Sequence, residues 1–225
     1  MTKRITSYTT IAMFVSILLL ATTFSSAEAQ TTSIRYKGQS ADAYWNYEDN
    51  GVYTDVFVSG SQYSSQQRSD RYTESGAYVG IYQYKIGDEV CYEYDGEKYC
   101  WNEYIPIQEF FGYTAINSDS FKTQGRLDGA TLDATISGYN YLTDTPQERT
   151  IAISVTWTGE GDYSSGNSNY HYHSSNYMYN GHYVGLYRQA TATASISGDI
   201  TINLSNSMYG SLYNAKAGYV DVTNR

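Results

Sequence analysis

The stretch Ala41–Val58, ADAYWNYEDNGVYTDVFV, decides the fold class. Its first arm alternates with period two, so Ala43, Trp45 and Tyr47 share one face of an extended strand. Asn50-Gly51 follows, the residue pair that suits a type I′ turn, because that turn needs positive φ at both central positions. Centring the hairpin there sets Trp45 opposite Val56 and Ala43 opposite Val58. Apolar residues then meet apolar residues across the strands, which fixes the register.

A second stretch repeats the logic and adds a covalent test. In Val90–Trp101, VCYEYDGEKYCW, the pair Asp95-Gly96 marks another I′ turn. Folding about it sets Tyr94 opposite Glu97, Glu93 opposite Lys98, Tyr92 opposite Tyr99 and Cys91 opposite Cys100. The cysteines fall on a non-hydrogen-bonded pair, where Cα atoms approach to about 4.5 Å, within disulfide reach. The sequence therefore predicts a Cys91–Cys100 bridge worth about 2–3 kcal/mol for so short a loop.

Working outward, further strands are expected at Ala77–Lys85, Ala130–Ile136, Thr150–Thr158, Tyr183–Gln189, Ala190–Ile196 and Ile200–Leu204. Asn102–Phe121 reads ambiguously, with a short helix conceivable from Gln108. Tyr78-Val79-Gly80-Ile81-Tyr82 recurs as Tyr183-Val184-Gly185-Leu186-Tyr187, and Gln62-Tyr63-Ser64-Ser65 as Asp162-Tyr163-Ser164-Ser165. The offsets are 105 and 100 residues, which suggests two duplicated halves, roughly 41–115 and 125–205. The expected fold is an all-β antiparallel β-sandwich, one domain over residues 30–225, with little or no helix in the mature chain.

The N-terminus sets the compartment. Lys3 and Arg4 precede the apolar run Ile11–Phe24, and Ala27-Glu28-Ala29 is an A-x-A cleavage site, so residues 1–29 read as a secretory signal peptide. The run is short for a membrane span, and no second one follows it. The expected location is secreted or extracytoplasmic: periplasm, cell wall or medium. Disulfides persist there.

The remaining 196 residues carry 12 basic against 22 acidic side chains. Such a balance, with no basic stripe in the sequence, argues against nucleic acid, whose phosphates need clustered Lys and Arg. Catalytic signatures are thin: no G-x-S-x-G elbow, H-E-x-x-H, Walker loop or dinucleotide loop occurs. With both cysteines bridged, a Cys nucleophile is not expected. No cofactor is called for, and no catalytic residue is assigned.

Two candidate sites remain, both in the Tyr/Ser/Asn/Gly-rich segment Gly161–Gly181, read as a polar loop. His171, His173 and His182 could hold a divalent metal, and otherwise are solvated imidazoles. Tyr170, Tyr172, Tyr177 and Tyr179 are candidates for ligand contact, since Tyr supplies rigid contact area beside adaptable Ser and Asn. Trp45 and Trp157 fall on core faces and are expected to be structural. The 27 tyrosines either build sheet faces or form an exposed stacking surface. The function these features favour is a non-enzymatic recognition or adhesion module for polysaccharide or a cell-surface ligand. The alternative is a structural component that self-associates in an envelope, matrix or filament, and a lesser one a secreted hydrolase.

Overall fold

The computed structural model describes residues 31–67, 69–142, 145–174 and 177–224. The expected signal peptide, residues 1–29, lies outside the described residues. Ten strands follow one another: β1 (Thr31–Asp49), β2 (Val52–Gln67), β3 (Asp70–Tyr94), β4 (Glu97–Ala115), β5 (Phe121–Gln124), β6 (Gly129–Asn140), β7 (Gln147–His173), β8 (Tyr177–Gly198), β9 (Ile202–Leu204) and β10 (Tyr209–Asn224). Among the described residues there is no helix, and every strand pair is antiparallel. The expected all-β antiparallel class is the observed one.

Each strand pairs with its neighbour in the order β10-β1-β2-β3-β4-β6-β7-β8-β9, and β10 also pairs β8. The two packed layers are thus parts of one sheet that returns to itself through β10. The junction between β4 and β6 is narrow, with three residue pairs from Phe110 to Gly112.

Period-two alternation explains why the layers pack. Ala41, Ala43 and Trp45 of β1, Val56 and Val58 of β2, and Ala77, Val79 and Ile81 of β3 point inward and are buried. They meet Ile151, Ile153, Val155 and Trp157 of β7 and Ala192, Ala194 and Ile196 of β8 in one cluster, filled by Phe110, Phe121 and Leu132. Gly60 is required here: a Cβ would sit 2.7 Å from the Phe121 ring. The expected register holds to the residue, with Trp45 opposite Val56 and Ala43 opposite Val58. Asn50 and Gly51 both adopt positive φ, 52° and 74°.

Both core tryptophans are structural, but they differ at the indole nitrogen. Trp157 Nε1 donates to the Asp42 carbonyl at 3.0 Å, tying β7 to β1 across the core. Trp45 Nε1 is buried with no partner. Leaving a buried donor unmatched costs about 1–3 kcal/mol, and removing it recovers part of that.

Several strands run past the core, and this corrects the sequence reading. Gln108–Phe111 is strand, not helix, within β4. The segment read as a polar loop, Gly161–Gly181, falls at the ends of β7 and β8, and the similarly polar Ser61–Gly76 falls at the ends of β2 and β3. Their Tyr, Ser and Thr residues suit a pleated surface, but little apolar contrast marks the period. Strand β10 and the start of β1 carry no such contrast either, and the sequence reading missed both.

Two extensions result. At one end, β3 and β4 continue as a two-stranded hairpin closed by Asp95-Gly96, with φ of 52° and 76°. The Cys91–Cys100 disulfide staples it, with Cα atoms 4.1 Å apart. At the other end, β4 starts pairing only at Ala115 with Gly76, and β6 only at Gly129 with Thr158. Beyond those rows the strands β3-β2-β1-β10-β8-β7 continue as a six-stranded overhang.

Two expectations follow. Trp157→Phe should cost more stability than Trp45→Phe, by about 1–2 kcal/mol in chemical denaturation, because the first strands the Asp42 carbonyl and the second removes an orphan donor. An equal cost would show that the cross-core bond contributes nothing. Removing the bridge with Cys91→Ser and Cys100→Ser should free the hairpin without unfolding the core, because lone hairpins are marginal in water. Amide exchange over residues 86–105 should quicken by about tenfold or more, while the global melting temperature moves by less than about 3 °C. A collapse of the global melt would place the bridge in the core's stability.

Candidate functional site

Among the described residues no tyrosine belongs to the buried core, and Tyr47 alone packs partly against it. Alternation sends Tyr44, Tyr53, Tyr78, Tyr82, Tyr84 and Tyr113 outward. On the outer face of β8, β10, β1, β2, β3 and β4, aromatic rings alternate with residues of little or no side chain. Across the strands, Tyr36 and Ser65 face Ala217 and Tyr72, Gly38 faces Tyr63, Ser40 faces Ser61 and Tyr213, and Gly80 faces Phe111.

The small residues are where the rings lie. A Cβ on Gly38 would meet the Tyr63 ring at 2.9 Å, one on Gly76 the Tyr113 hydroxyl at 2.5 Å, and one on Gly185 the Tyr183 hydroxyl at 2.9 Å. The Tyr63 and Tyr113 rings therefore rest on the backbone of the neighbouring strand, and Tyr183 folds back over its own strand. Tyr36 and Tyr63 stack at 6.0 Å between centroids, and Tyr53 and Tyr84 at 5.3 Å. The recurrence of Y-V-G-x-Y has a physical reason: in both copies Tyr, Gly and Tyr point outward while Val and Ile or Leu point inward.

Asp42 sits in the middle of this face. Its cross-strand neighbours are Ser59 on β2 and Ser211 on β10, and both hydroxyls hydrogen-bond its carboxylate. Burial pushes its pKa up, and those two hydrogen bonds oppose the shift without cancelling it. The tyrosines around it respond. Burial raises Tyr63 and Tyr187, each with a contribution from the Asp42 charge. Burial, then the bond to Asp55, pushes Tyr44 up to about 12. The Tyr187 and Tyr209 hydroxyls lie 3.2 Å apart. Ser40 and Ser211 are buried and Asp42 is half-buried beside them, so the face has a polar floor between aromatic walls.

The residues singled out from sequence lie elsewhere on the same sheet. Tyr172 is exposed and pairs with Tyr179 across β7 and β8, in the overhang rather than in a loop. The side chains of Tyr170, Tyr177 and Tyr179 lie outside the described residues. The three histidines share the opposite, inner face of that strand pair. His171 Nδ1 lies 2.6 Å from Asn180 Oδ1 and His182 Nδ1 lies 2.7 Å from Asn169 Oδ1. These two imidazoles thus have amide partners, and His173 stands opposite Met178. Among the described residues the one group with metal-ligand spacing is Glu89 with Cys91 and Cys100, whose sulfurs are in the disulfide and are not thiolates.

One further charged cluster closes the edge of the core. Arg188 Nη1 donates to Asp128 Oδ1 at 2.8 Å and its guanidinium lies 4.6 Å from the Tyr163 ring centre. The Tyr163 hydroxyl donates to the same carboxylate at 2.9 Å. These bonds from Tyr163 and then Arg188 hold Asp128 below the usual carboxylate range. The cluster pins the Arg126–Asp128 turn against the bulge at Gly161.

No family model matches the chain, and no curated protein does. One solved structure, described as the enduracididine biosynthesis enzyme MppR complexed with the condensation product of pyruvate and imidazole 4-carboxaldehyde, aligns over 88% of this chain and 90% of that one. Its TM-score is 0.22 at 5% identity, and it carries no argument here.

The raised pKa of Asp42 has a definite sign for stability. The folded state holds its proton more tightly than the unfolded chain, so this group's contribution is greatest at low pH. It is lost as pH rises from the ordinary carboxylate range through the folded pKa. Asp42→Asn should remove that loss. The variant should match or exceed the parent in melting temperature at pH 7 and fall behind it near pH 4. A variant destabilised most at pH 7 would show instead that Ser59 and Ser211 favour the charged form.

Proposed function

We propose that this protein is an exported recognition module that binds polysaccharide on its tyrosine face. The observation that carries the reading is the arrangement around Asp42: rings laid against glycine backbone, with their other faces turned outward, beside a floor of serine hydroxyls and one carboxylate. Sugars have apolar C–H faces and hydroxyl edges. Rings supply the first contact and Asp42, Ser40, Ser59, Ser61 and Ser211 the second. Such a face is already ordered, so binding fixes few side chains anew. Tyr172 continues the same face into the overhang.

Export is supported by the signal-like residues 1–29 and fits the Cys91–Cys100 disulfide. Among the described residues no helix is long and apolar enough to cross a membrane.

The test is a thermal-shift screen of the secreted protein against soluble polysaccharides of neutral, anionic and cationic classes. A ligand at a hundredfold excess over its Kd stabilises by about 2.7 kcal/mol, a rise of roughly 5–10 °C for a chain of this size. One class should give that rise, and Tyr63→Ala together with Tyr113→Ser should abolish it while leaving the unliganded melt within about 4 °C. A flat response to every class rejects the reading.

A further inference from the structure

The net acidity of the chain hides a segregation of charge along its longest strand. β3 runs from Asp70 in the overhang to Tyr94 in the hairpin, so these two extensions lie at opposite ends of the molecule.

The hairpin end, Lys85–Glu103, contains Asp88, Glu89, Glu93, Asp95, Glu97 and Glu103 against two lysines, a net charge of −4. It is also apolar. Val90 pairs with Trp101 and Tyr92 with Tyr99 on one face, and the Tyr92 ring meets both aromatic partners at 5.4 and 5.5 Å. Trp101 nevertheless remains 47% exposed and Val90 41%. An acidic, aromatic hairpin that projects from its own core is an unusual thing to leave in water.

The overhang has the opposite character on its inner face, the face continuous with the core. Alternation places Arg35 and Lys37 of β1 and Arg71 of β3 there, and all three are exposed. His171, His173 and His182 stand on the same face, among amides. Of the acidic residues of these rows, Asp70 and Glu74 point to the other side; on β10, Asp221 and Lys216 offset each other at inner-face register positions opposite Ser33 and Lys37. Val184, 42% exposed, and Leu186 add an aliphatic strip along β8. Above the bond from Thr123 to Gln39, which closes the core, no second layer covers this face among the described residues.

We propose that the acidic hairpin of one copy docks on the basic inner face of the overhang of the next. The charges are complementary, and the aromatic residues of the hairpin find an aliphatic strip to cover. Six strands at about 4.8 Å and some nine residues at about 3.3 Å give a face near 25 by 30 Å, which easily seats a two-stranded hairpin roughly 10 by 30 Å across. The contact is then smaller than a standard interface, so it forms and dissociates with concentration and salt. The two surfaces are different and lie at opposite ends. The contact is therefore head-to-tail and does not close on itself, and chains of copies result.

Sedimentation velocity of the secreted protein tests this between roughly 1 and 100 μM, at low salt and in about 0.5 M salt. The sedimentation coefficient should rise with concentration at low salt and fall back to the monomer value at high salt. Charge reversal separates docking from misfolding. Glu97→Lys with Glu103→Lys reverses the charge on the hairpin's aromatic face, where alternation sets both beside Tyr99 and Trp101; Arg35→Glu with Lys37→Glu makes the overhang's inner face acidic. Each double variant alone should stay monomeric, because like charges then face each other. A one-to-one mixture should assemble again, because each hairpin finds an overhang of opposite sign. Recovery in the mixture cannot come from misfolded chains. A parent that stays monomeric at low salt overturns the proposal. So does either variant assembling alone as the parent does, or a mixture that stays monomeric.

Discussion

The pairing of β10 with both β1 and β8 is the constraint on which the rest of the structure depends. Without it the chain would be a long meander with two open edges and no reason to bring β1–β3 over β7–β8. With it, small inward residues such as Ala41, Ala43 and Ala77 come close enough to Ile151, Val155 and Ala192 to exclude water. Trp157 then reaches the Asp42 carbonyl across the core, and the backbone at Asp42 is held from behind by β7 while its side chain faces outward. The candidate binding face and the core are thus coupled through one residue, whose carbonyl serves the core and whose carboxylate serves the surface.

The overhang poses a different problem, because a sheet with a single layer cannot bury either face in a core. Tyrosine laid on glycine is the solution seen here. Gly38 and Gly185 would each weaken a strand, having no side chain to pack and more entropy to lose. The Tyr63 and Tyr183 side chains cover those backbones and recover contact area within the sheet itself. This explains why a chain with 27 tyrosines puts none of the described ones in its core: the rings stabilise those strands that the core does not reach.

What could be read from the sequence follows the same division. The Asn50-Gly51 hairpin and the Cys91–Cys100 bridge were readable because turn chemistry fixes register locally, and every later pair is then counted from the turn. The strand ends over 61–76 and 161–181 were not, because the period-two signal is a contrast between apolar and polar residues. In the overhang Tyr and Ser alternate with Asn, His and Gln, all of which read as polar. The ring closure was equally hidden, since β10 joins β1 across more than 160 residues and, of its described inward residues, Leu212 is the one large apolar side chain in the buried core. Asp42 was invisible as a site for a related reason. One carboxylate in an alternating strand looks solvated, and only the register brings Ser59 and Ser211 to its two sides.

Charge shows most sharply how far composition can mislead. Counted over the whole chain, an acidic total argues against any surface that attracts anions. Alternation, however, sorts residues by parity within each strand, and strand pairing then sums those parities across neighbours. Lys37 and Glu74 are both exposed, and both lie in the overhang, but they stand on opposite faces of the same thin sheet. At about 8 Å the Debye length in physiological salt is comparable to the sheet's own thickness, so a partner approaching one face feels mainly the charges of that face. A protein with a net charge of −9 can therefore present a basic face, and its sign depends on register rather than on totals.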